Sequence, residues 1–201
     1  MPKIVDKENM RGRILDAALK VFARTGYHAA TMADVAAELG VAKGTLYLYF
    51  RSREALAEAM VERHFSDLEA RISNDPRCET LQSFAEQIAR TMDVPADQAQ
   101  FVPIFFEVFG PSFGSDAFAQ KVAAFFERLG KHYAGQIAHL QARGEVGPEH
   151  DADLLGRALA SMVDGMILHR GLFAIPENRN KGLIVSAVAA LVLGLRPETS
   201  G

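Results

Sequence analysis

The chain has 201 residues, a net charge of −3 and 49% hydrophobic residues. This composition excludes a disordered polymer and fits one medium domain, or a small domain joined to a larger one. The single cysteine, Cys78, excludes an internal disulfide and agrees with a reducing cytoplasm, where we expect the protein to act. The start of the chain, MPKIVDKENM, lacks the apolar core of a secretory signal, and the longest mostly apolar stretch, 183–195, is shorter than the ~20 residues that cross a bilayer. We therefore expect no membrane partner.

Charge is divided unevenly along the chain. Residues 1–53 contain nine Lys/Arg and five Asp/Glu, a net charge of +4, whereas the remaining 148 residues carry −7. A basic N-terminal segment, here called the head (residues 1–53), is followed by an acidic remainder. This division of charge indicates an anionic partner for the head.

Signals for the start and end of helices organise the first forty residues. Apolar residues at three- and four-residue spacing over 14–22 predict a helix that ends at the glycine signal of Gly26. Thr31 opens a second helix, in which Asp34 completes a short capping box, and Gly40 ends it.

The remaining elements are also predicted to be helices, because no stretch alternates apolar and polar residues as a strand does. Ser52 is expected to cap a fourth helix. The predicted elements after Gly40 are a very short helix over about 43–49, the fourth helix from Ser52 past Phe65, a helix over about 81–92, an apolar helix over about 101–110, a long helix from Ser115 to Gly144, a helix from Asp151 or Asp153 to about Phe173, and a last helix over about 178–195.

The stretch GVAKGTLYLYF, residues 40–50, contains the very short third helix, and the residues of this helix divide into two faces. Leu46 and Phe50 are four residues apart and are expected to point into the core. Gly44 and Leu48 lie opposite them. Because Gly44 has no side chain, the backbone there can approach another molecule closely.

The opposite face has the chemistry of a DNA-contacting surface. The amino group of Lys43 and the hydroxyls of Tyr47 and Tyr49 can reach phosphate oxygens, and the methyl group of Thr45 can meet a thymine methyl. Two short helices joined by a glycine turn form a helix-turn-helix unit, whose second helix enters the major groove. The alternative is an ordinary surface turn whose tyrosines pack sideways.

The run ATMADVAAELGVAKGTLYLYFRSREAL resembles the DNA-binding domain of the TetR family of bacterial transcriptional regulators. The resemblance implies an all-α protein of about nine helices. It implies an N-terminal three-helix helix-turn-helix DNA-binding domain over 8–68, with its motif at 31–50, and a C-terminal ligand-binding and dimerisation domain over 69–197. It also implies phosphate contacts by Thr31, Tyr47, Tyr49 and Arg53, and groove contacts by Lys43, Gly44, Thr45 and Leu48.

Three residues depart from the family pattern. Ala42 stands where serine is common, so the third helix is predicted to lack a side-chain cap. Leu48 replaces a frequent histidine or other polar residue, which predicts an apolar contact there. Arg53 replaces the usual lysine. The arginine keeps the positive charge, and its guanidinium can donate two parallel hydrogen bonds.

Small and apolar residues on the last two helices are candidates for a dimer interface. The resemblance implies a homodimer that pairs through these helices in a four-helix bundle, although the same face could equally be the core of one chain. The candidate residues are Leu155, Gly156, Leu159, Ala160, Ile184, Ala187, Val188, Leu191 and Leu195.

Eight phenylalanines lie between Phe101 and Phe126, enough to line an apolar cavity as well as a core. By resemblance we expect a pocket for a small, hydrophobic effector, with plain core packing as the alternative. The expected lining is Phe84, Ile88, Phe105, Phe109, Phe126, Met162 and Met166. The candidates for a polar anchor are His169, Arg170, His132 and Tyr133, among which Arg170 suits a carboxylate.

No catalytic motif, phosphate-binding loop or metal-ligand spacing occurs, so we expect no enzyme activity, metal or cofactor. The sequence predicts a homodimeric, cytoplasmic regulator, most simply a repressor released from a palindromic operator by its effector. Two alternatives remain open. One is a helical small-molecule binding protein or enzyme whose head is a protein-interaction module. The other is a regulator that acts without a ligand or as an activator.

Overall fold

The computed structural model describes residues 2–93, 101–109, 116–173 and 175–196. These residues form nine helices and no strand, which confirms the predicted all-α class. The helices are α1 (Pro2–Thr25), α2 (Met32–Leu39), α3 (Lys43–Tyr47), α4 (Arg53–Ser73), α5 (Leu81–Met92), α6 (Phe101–Phe109), α7 (Asp116–Ala142), α8 (Ala152–Phe173) and α9 (Glu177–Leu193).

The first compact unit contains the chain up to Asp67 together with α6 from Pro103 onward. Its core is formed by the apolar stripe of α1 and by the facing residues of α2, α3 and α4. Removing such side chains from water is the main stabilising contribution to a unit of this size. The fully or almost fully buried members include Ile14, Val21, Phe22, Val35, Leu46 and Leu56.

The helix ends of this unit follow the predicted signals. Gly26 and Gly40 adopt positive φ angles of 78° and 73°, the left-handed conformation that ends a helix most easily at glycine. The hydroxyl of Thr31 accepts a hydrogen bond from the Asp34 amide at 3.2 Å, and the Thr31 amide donates to the Asp34 carboxylate at 2.9 Å. The Ser52 hydroxyl accepts from the Ala55 amide at the start of α4. These four predictions are confirmed.

The second compact unit begins at Leu68 and contains α5, α7, α8 and α9. Phe84 and Ile88 on α5 are fully buried, as is Ile137 on α7. The Phe84 and Tyr133 rings meet edge to face, with their centroids 6.2 Å apart. None of the described helices is both long and apolar enough to cross a bilayer.

The small residues of α8 allow a close crossing with α7 inside one chain. A Cβ atom added to Gly156 would lie 2.5 Å from the carbonyl oxygen of Gly130 and 2.6 Å from the amide nitrogen of Ala134. Side chains cannot occupy that distance, so glycine is required at this crossing. The small face that the sequence suggested for dimerisation is therefore covered by the chain's own α7 at Gly156.

Candidate nucleic-acid interface

Helix α3 is fixed to the rest of the first unit at its C-terminal end. Leu46 is fully buried and Phe50 is 3% exposed. The Arg11 guanidinium of α1 lies over the Phe50 ring, 4.4 Å from its centroid, and its Nη1 donates to the Tyr49 carbonyl at 3.5 Å. A helix of five residues has little stability of its own, so these contacts determine its position.

The turn before α3 has the expected geometry. The Gly40 amide donates to the Ala37 carbonyl at 3.1 Å, and the Val41 amide donates to the Ala36 carbonyl at 3.0 Å. Ala42 follows in extended conformation and provides no side-chain hydrogen bond to α3. The predicted absence of a side-chain cap is confirmed.

The other side of α3 is open to solvent. Tyr47 is 47% exposed and Leu48 is 77% exposed, an unusual exposure for a leucine. Lys43 and Gly44 are exposed as well, and a Cβ atom added at Gly44 would meet nothing within 4 Å. Since Gly44 adds no bulk, a polyanion can approach the backbone here while the Lys43 amino group and the Tyr47 hydroxyl lie at the sides.

The flanking candidates Thr45 and Tyr49 are half-buried. Thr31 is exposed, but its hydroxyl donates its proton to the Asp34 carboxylate at 2.7 Å. That hydrogen bond and the one from the Thr31 amide hold the pKa of Asp34 below its ordinary value. The Thr31 hydroxyl is therefore engaged in the cap of α2, and its contact with phosphate stays a prediction.

Arg53 is held by the protein itself. Its Nη1 donates to the carbonyls of Tyr27, His28 and Ala30 at 3.0–3.2 Å, and its guanidinium lies 4.4 Å from the centroid of the Tyr27 ring. Nη2 pairs with Glu54 at 3.4 Å. The side chain thus ties the turn between α1 and α2 to the start of α4. Its predicted contact with phosphate stays a prediction, because most of its donors already have acceptors.

Arg51 is a candidate that the sequence interpretation missed. It is exposed between Tyr49 and the start of α4 and forms no ion pair within the described parts of the chain. Its place next to Tyr49 could have suggested it, but two arginines on either side of Ser52 cannot be told apart by spacing alone.

The residues predicted to line an effector pocket fall in both units. Phe84 and Ile88 are fully buried in the second unit, where Phe126, Met162 and Met166 are half-buried. Phe105 belongs to the first unit, and its ring lies 6.1 Å from that of Phe65. The side chain of Phe109 lies outside the described part of the structure. The structure therefore groups five of the seven within one unit.

The four predicted polar anchors differ in environment. His169 is exposed, and its ring lies 5.0 Å from that of Phe173. Burial lowers the pKa of His132 and raises the pKa of Tyr133 to about 12. Arg170 is only 6% exposed, and its Nη1 has no hydrogen-bond partner within the described residues.

Most of the predicted dimer residues are buried within the single chain and pack in its core. Leu191 is 48% exposed, and Leu155 and Ala187 are half-buried. The buried members are Gly156, Leu159, Ala160, Ile184, Val188 and Leu195. Helical periodicity places residues on a common face correctly, but it does not tell which helix covers that face.

A short helix fixed at one end, with an exposed cationic and hydroxyl-bearing face, fits the recognition helix of a helix-turn-helix DNA-binding unit. Residues 14–60 match the model of the bacterial regulatory proteins of the tetR family. This match, together with the relatives and solved structures below, supports a TetR-family regulator whose DNA-binding domain includes residues 14–60.

Relatives and solved structures agree with this assignment. The chain is 27% identical over 196 residues to the transcriptional repressor DhaR of Mycobacterium sp. strain GP1, covering 94% of each chain. It is 42% identical over 62 residues to the transcriptional activator FasR of Mycolicibacterium smegmatis, covering 31% of this chain and 28% of that one. A structure described as a transcriptional regulator from Saccharomonospora viridis in complex with choline has the same fold, with a TM-score of 0.72 and 20% identity over 90% of this chain and 96% of that one.

Proposed function

We propose that this regulator is a homodimeric repressor that leaves its operator when a small, largely apolar effector binds the second unit. The observation that carries the proposal is the exposed face of α3. Leu48 is 77% exposed, while Leu46 and Phe50 fix the helix to its core. An exposed leucine beside Lys43 and Gly44 costs free energy in water, and contact with the sugars and thymine methyls of a groove would recover it.

The phosphate contacts are assigned to exposed groups, although the Lys43 Nζ atom lies 5.9 Å from the centroid of the Tyr47 ring. Lys43 and Arg51 are exposed and have no ion-pair partner within the described residues. The hydroxyls of Tyr47 and Tyr49 complete the edge of the surface. Arg53 acts mainly by fixing the turn at 27–30, so its loss would weaken DNA binding through the geometry of the head.

Two copies are proposed because one five-residue helix reads only a few base pairs. The proposed interface with the second copy is a row of exposed or half-buried residues on α8, here called the α8 stripe. Its residues alternate four- and three-residue spacing, as residues do where two helices pack together. Small residues occupy its centre, where two helices can approach closely. The α8 stripe consists of Leu154, Ala158, Ser161, Gly165, Leu168 and Leu172.

The effector is proposed to act by population shift. Phe84 and Ile88 on α5 and Met162 and Met166 on α8 provide apolar side chains in the second unit. The dimer is proposed to have two conformations, and in one of them the spacing of the two heads does not match the two half-sites. An effector that binds this conformation better lowers the affinity for the operator. The complex of a TetR-fold regulator with choline supports binding of a small molecule by this fold.

Activation is a second candidate, favoured by the 42% identity over 62 residues to the activator FasR. Both candidates use the same DNA contacts. A reporter placed behind the operator separates them, because deletion of the gene raises expression for a repressor and lowers it for an activator.

Salt titration of DNA binding tests the proposed contacts. Fluorescence anisotropy with DNA from the region upstream of the gene should show affinity falling log-linearly with salt, and Lys43→Gln or Arg51→Gln should each reduce the slope by about 1 per protomer. Lys131→Gln, on α7 of the second unit, is the control and should leave the slope unchanged. A slope that is insensitive to both head variants would contradict the assignment.

A further inference from the structure

A buried cation that has no counter-ion among the described residues lies near the end of α8. Arg170 is 6% exposed, forms no ion pair, and its Nη1 has no hydrogen-bond partner within the described residues. A buried charge is costly unless it is paired and hydrogen-bonded, and an arginine cannot lose its proton to avoid that cost. In the described part of the chain, no anion pairs with this side chain.

A second unmatched donor lies near the start of α9. Asn180 is 2% exposed, and its Nδ2 also has no acceptor within the described residues. Its backbone amide is satisfied by the Pro176 carbonyl at 2.9 Å, so only the side chain is unmatched. Arg170 lies three residues before the end of α8 and Asn180 three residues after the start of α9, so the two unmatched donors are ten positions apart along the chain.

The charges around Arg170 do not neutralise it. The pKa of Glu177 is lowered chiefly by its hydrogen bond and ion pair with Lys181, and to a smaller extent by the charge of Arg170. Arg170 is thus within electrostatic range of the start of α9. Glu177, however, is exposed and pairs with Lys181 at 2.9 Å. Asp164, on α8, has its pKa raised by burial with no contribution from a cation.

Apolar side chains continue from both donors along their helices. On α8, Met166 and Val163 lie one and two turns before Arg170 on the same side. On α9, Ile184 and Val188 lie one and two turns after Asn180, and both are 3% exposed. A ligand with an anionic head near Arg170 and Asn180 and an apolar body along these apolar side chains matches this arrangement.

We propose that the effector is an organic monocarboxylate whose head group accepts hydrogen bonds from Arg170 and Asn180. This inference rests on the proposed effector response. A carboxylate brings one negative charge for one unpaired guanidinium and two oxygens for two donors, whereas a phosphate monoester would bring nearly two charges into an otherwise apolar interior. Arg170 and Asn180 therefore select the class of ligand, and the apolar side chains set its length.

The test compares acids with their own esters on the intact protein. Octanoate, decanoate, dodecanoate and 4-phenylbutanoate are each paired with the corresponding methyl ester, below the concentration at which they form micelles. At saturation at least one acid should raise the melting temperature by about 5 °C and release operator DNA, while its ester does neither. Equal responses to acid and ester, or no response to any acid, would overturn the assignment of the head group.

Variants separate ligand recognition from structure. Arg170→Met should melt at the same temperature as the ligand-free wild type or higher, because it removes an unpaired buried charge, and should lose about 100-fold in affinity for the acid. Asn180→Leu should weaken binding by about tenfold. Loss of the dimer in folded Arg170→Met would assign the guanidinium to the interface between chains and would overturn the proposal, as would an unchanged acid response.

The same titration distinguishes failure of this inference from failure of the proposed function. If the wild type does not bind DNA at all, the regulator proposal fails whatever the acids do. If esters release DNA as well as acids do, effector release remains and only the carboxylate assignment is lost. If an acid binds through Arg170 without releasing DNA, the ligand class is retained and the release step is lost.

Discussion

Ala42 leaves the N-terminus of α3 without a side-chain acceptor, although its extended backbone is that of a helix-capping residue. Ala42→Ser should supply the missing hydrogen bond and raise the free energy of unfolding by about 1 kcal/mol. Urea denaturation followed by circular dichroism measures the gain. Ala37→Ser, exposed inside α2, is the control and should lower stability by a few tenths of a kcal/mol. Equal effects at the two positions would contradict the capping argument.

The capping box of α2 makes the stability of the head depend on pH. The pKa of Asp34 is lowered, first by the Thr31 hydroxyl and then by the Thr31 amide. A carboxyl with a lowered folded pKa contributes stability above its ordinary value, and the contribution is lost as the pH falls through the folded value.

Asp34→Asn should therefore melt below the wild type at pH 7, and the difference should shrink as the pH falls below 3.8, the ordinary value for aspartate. Thermal melts across this range measure the difference. A difference that is independent of pH would show that the Asp34 carboxylate does not act through the cap.

Residue-level signals were predictable where they are local. The capping box at Thr31, the positive φ at Gly40 and the absence of a cap at Ala42 depend on neighbours a few positions away, and the structure confirms each. The roles of Arg11 and Arg53 were not predictable, because their side chains reach carbonyls 38 and 26 positions away. No local pattern records such partners.

At the scale of elements, the crossing of α7 and α8 leaves no room for a side chain at Gly156. Gly156→Ala would force a Cβ atom against the Gly130 carbonyl and the Ala134 amide. It should lower the free energy of unfolding by about 1–3 kcal/mol. Gly135→Ala, on α7 with nothing within 4 Å of the added atom, should raise it by about 0.5–1 kcal/mol through helix propensity alone. Similar melting curves for the two variants would contradict the close crossing.

Element boundaries followed from periodicity and turn residues, but the partner of each face did not. Gln87 and Gln136 illustrate the limit, because both look like polar surface residues and both are buried. Their amides donate to the Pro76 carbonyl, and Gln136 accepts from the Cys78 amide at 3.0 Å. They satisfy the backbone of the segment between α4 and α5, a duty that hydrophobic patterning cannot indicate.

For the whole molecule, the uneven distribution of charge predicts that the first unit binds DNA. The α8 stripe predicts which surface forms the interface between two copies. Ser161→Arg places a charge in the centre of the stripe and should convert the proposed dimer to monomer, as measured by sedimentation equilibrium. Ala138→Arg, exposed on α7, is the control and should leave the dimer intact. A dimer that persists in folded Ser161→Arg would place the interface on another surface.

The central claim is that the exposed face of α3 holds DNA. Footprinting of the region upstream of the gene tests it, with the wild type compared with the triple variant Lys43→Glu, Tyr47→Phe, Tyr49→Phe after a melting curve has shown that the variant is folded. We predict that the wild type protects a short inverted repeat and that the variant protects nothing. Protection of the same repeat by the folded variant would contradict the account.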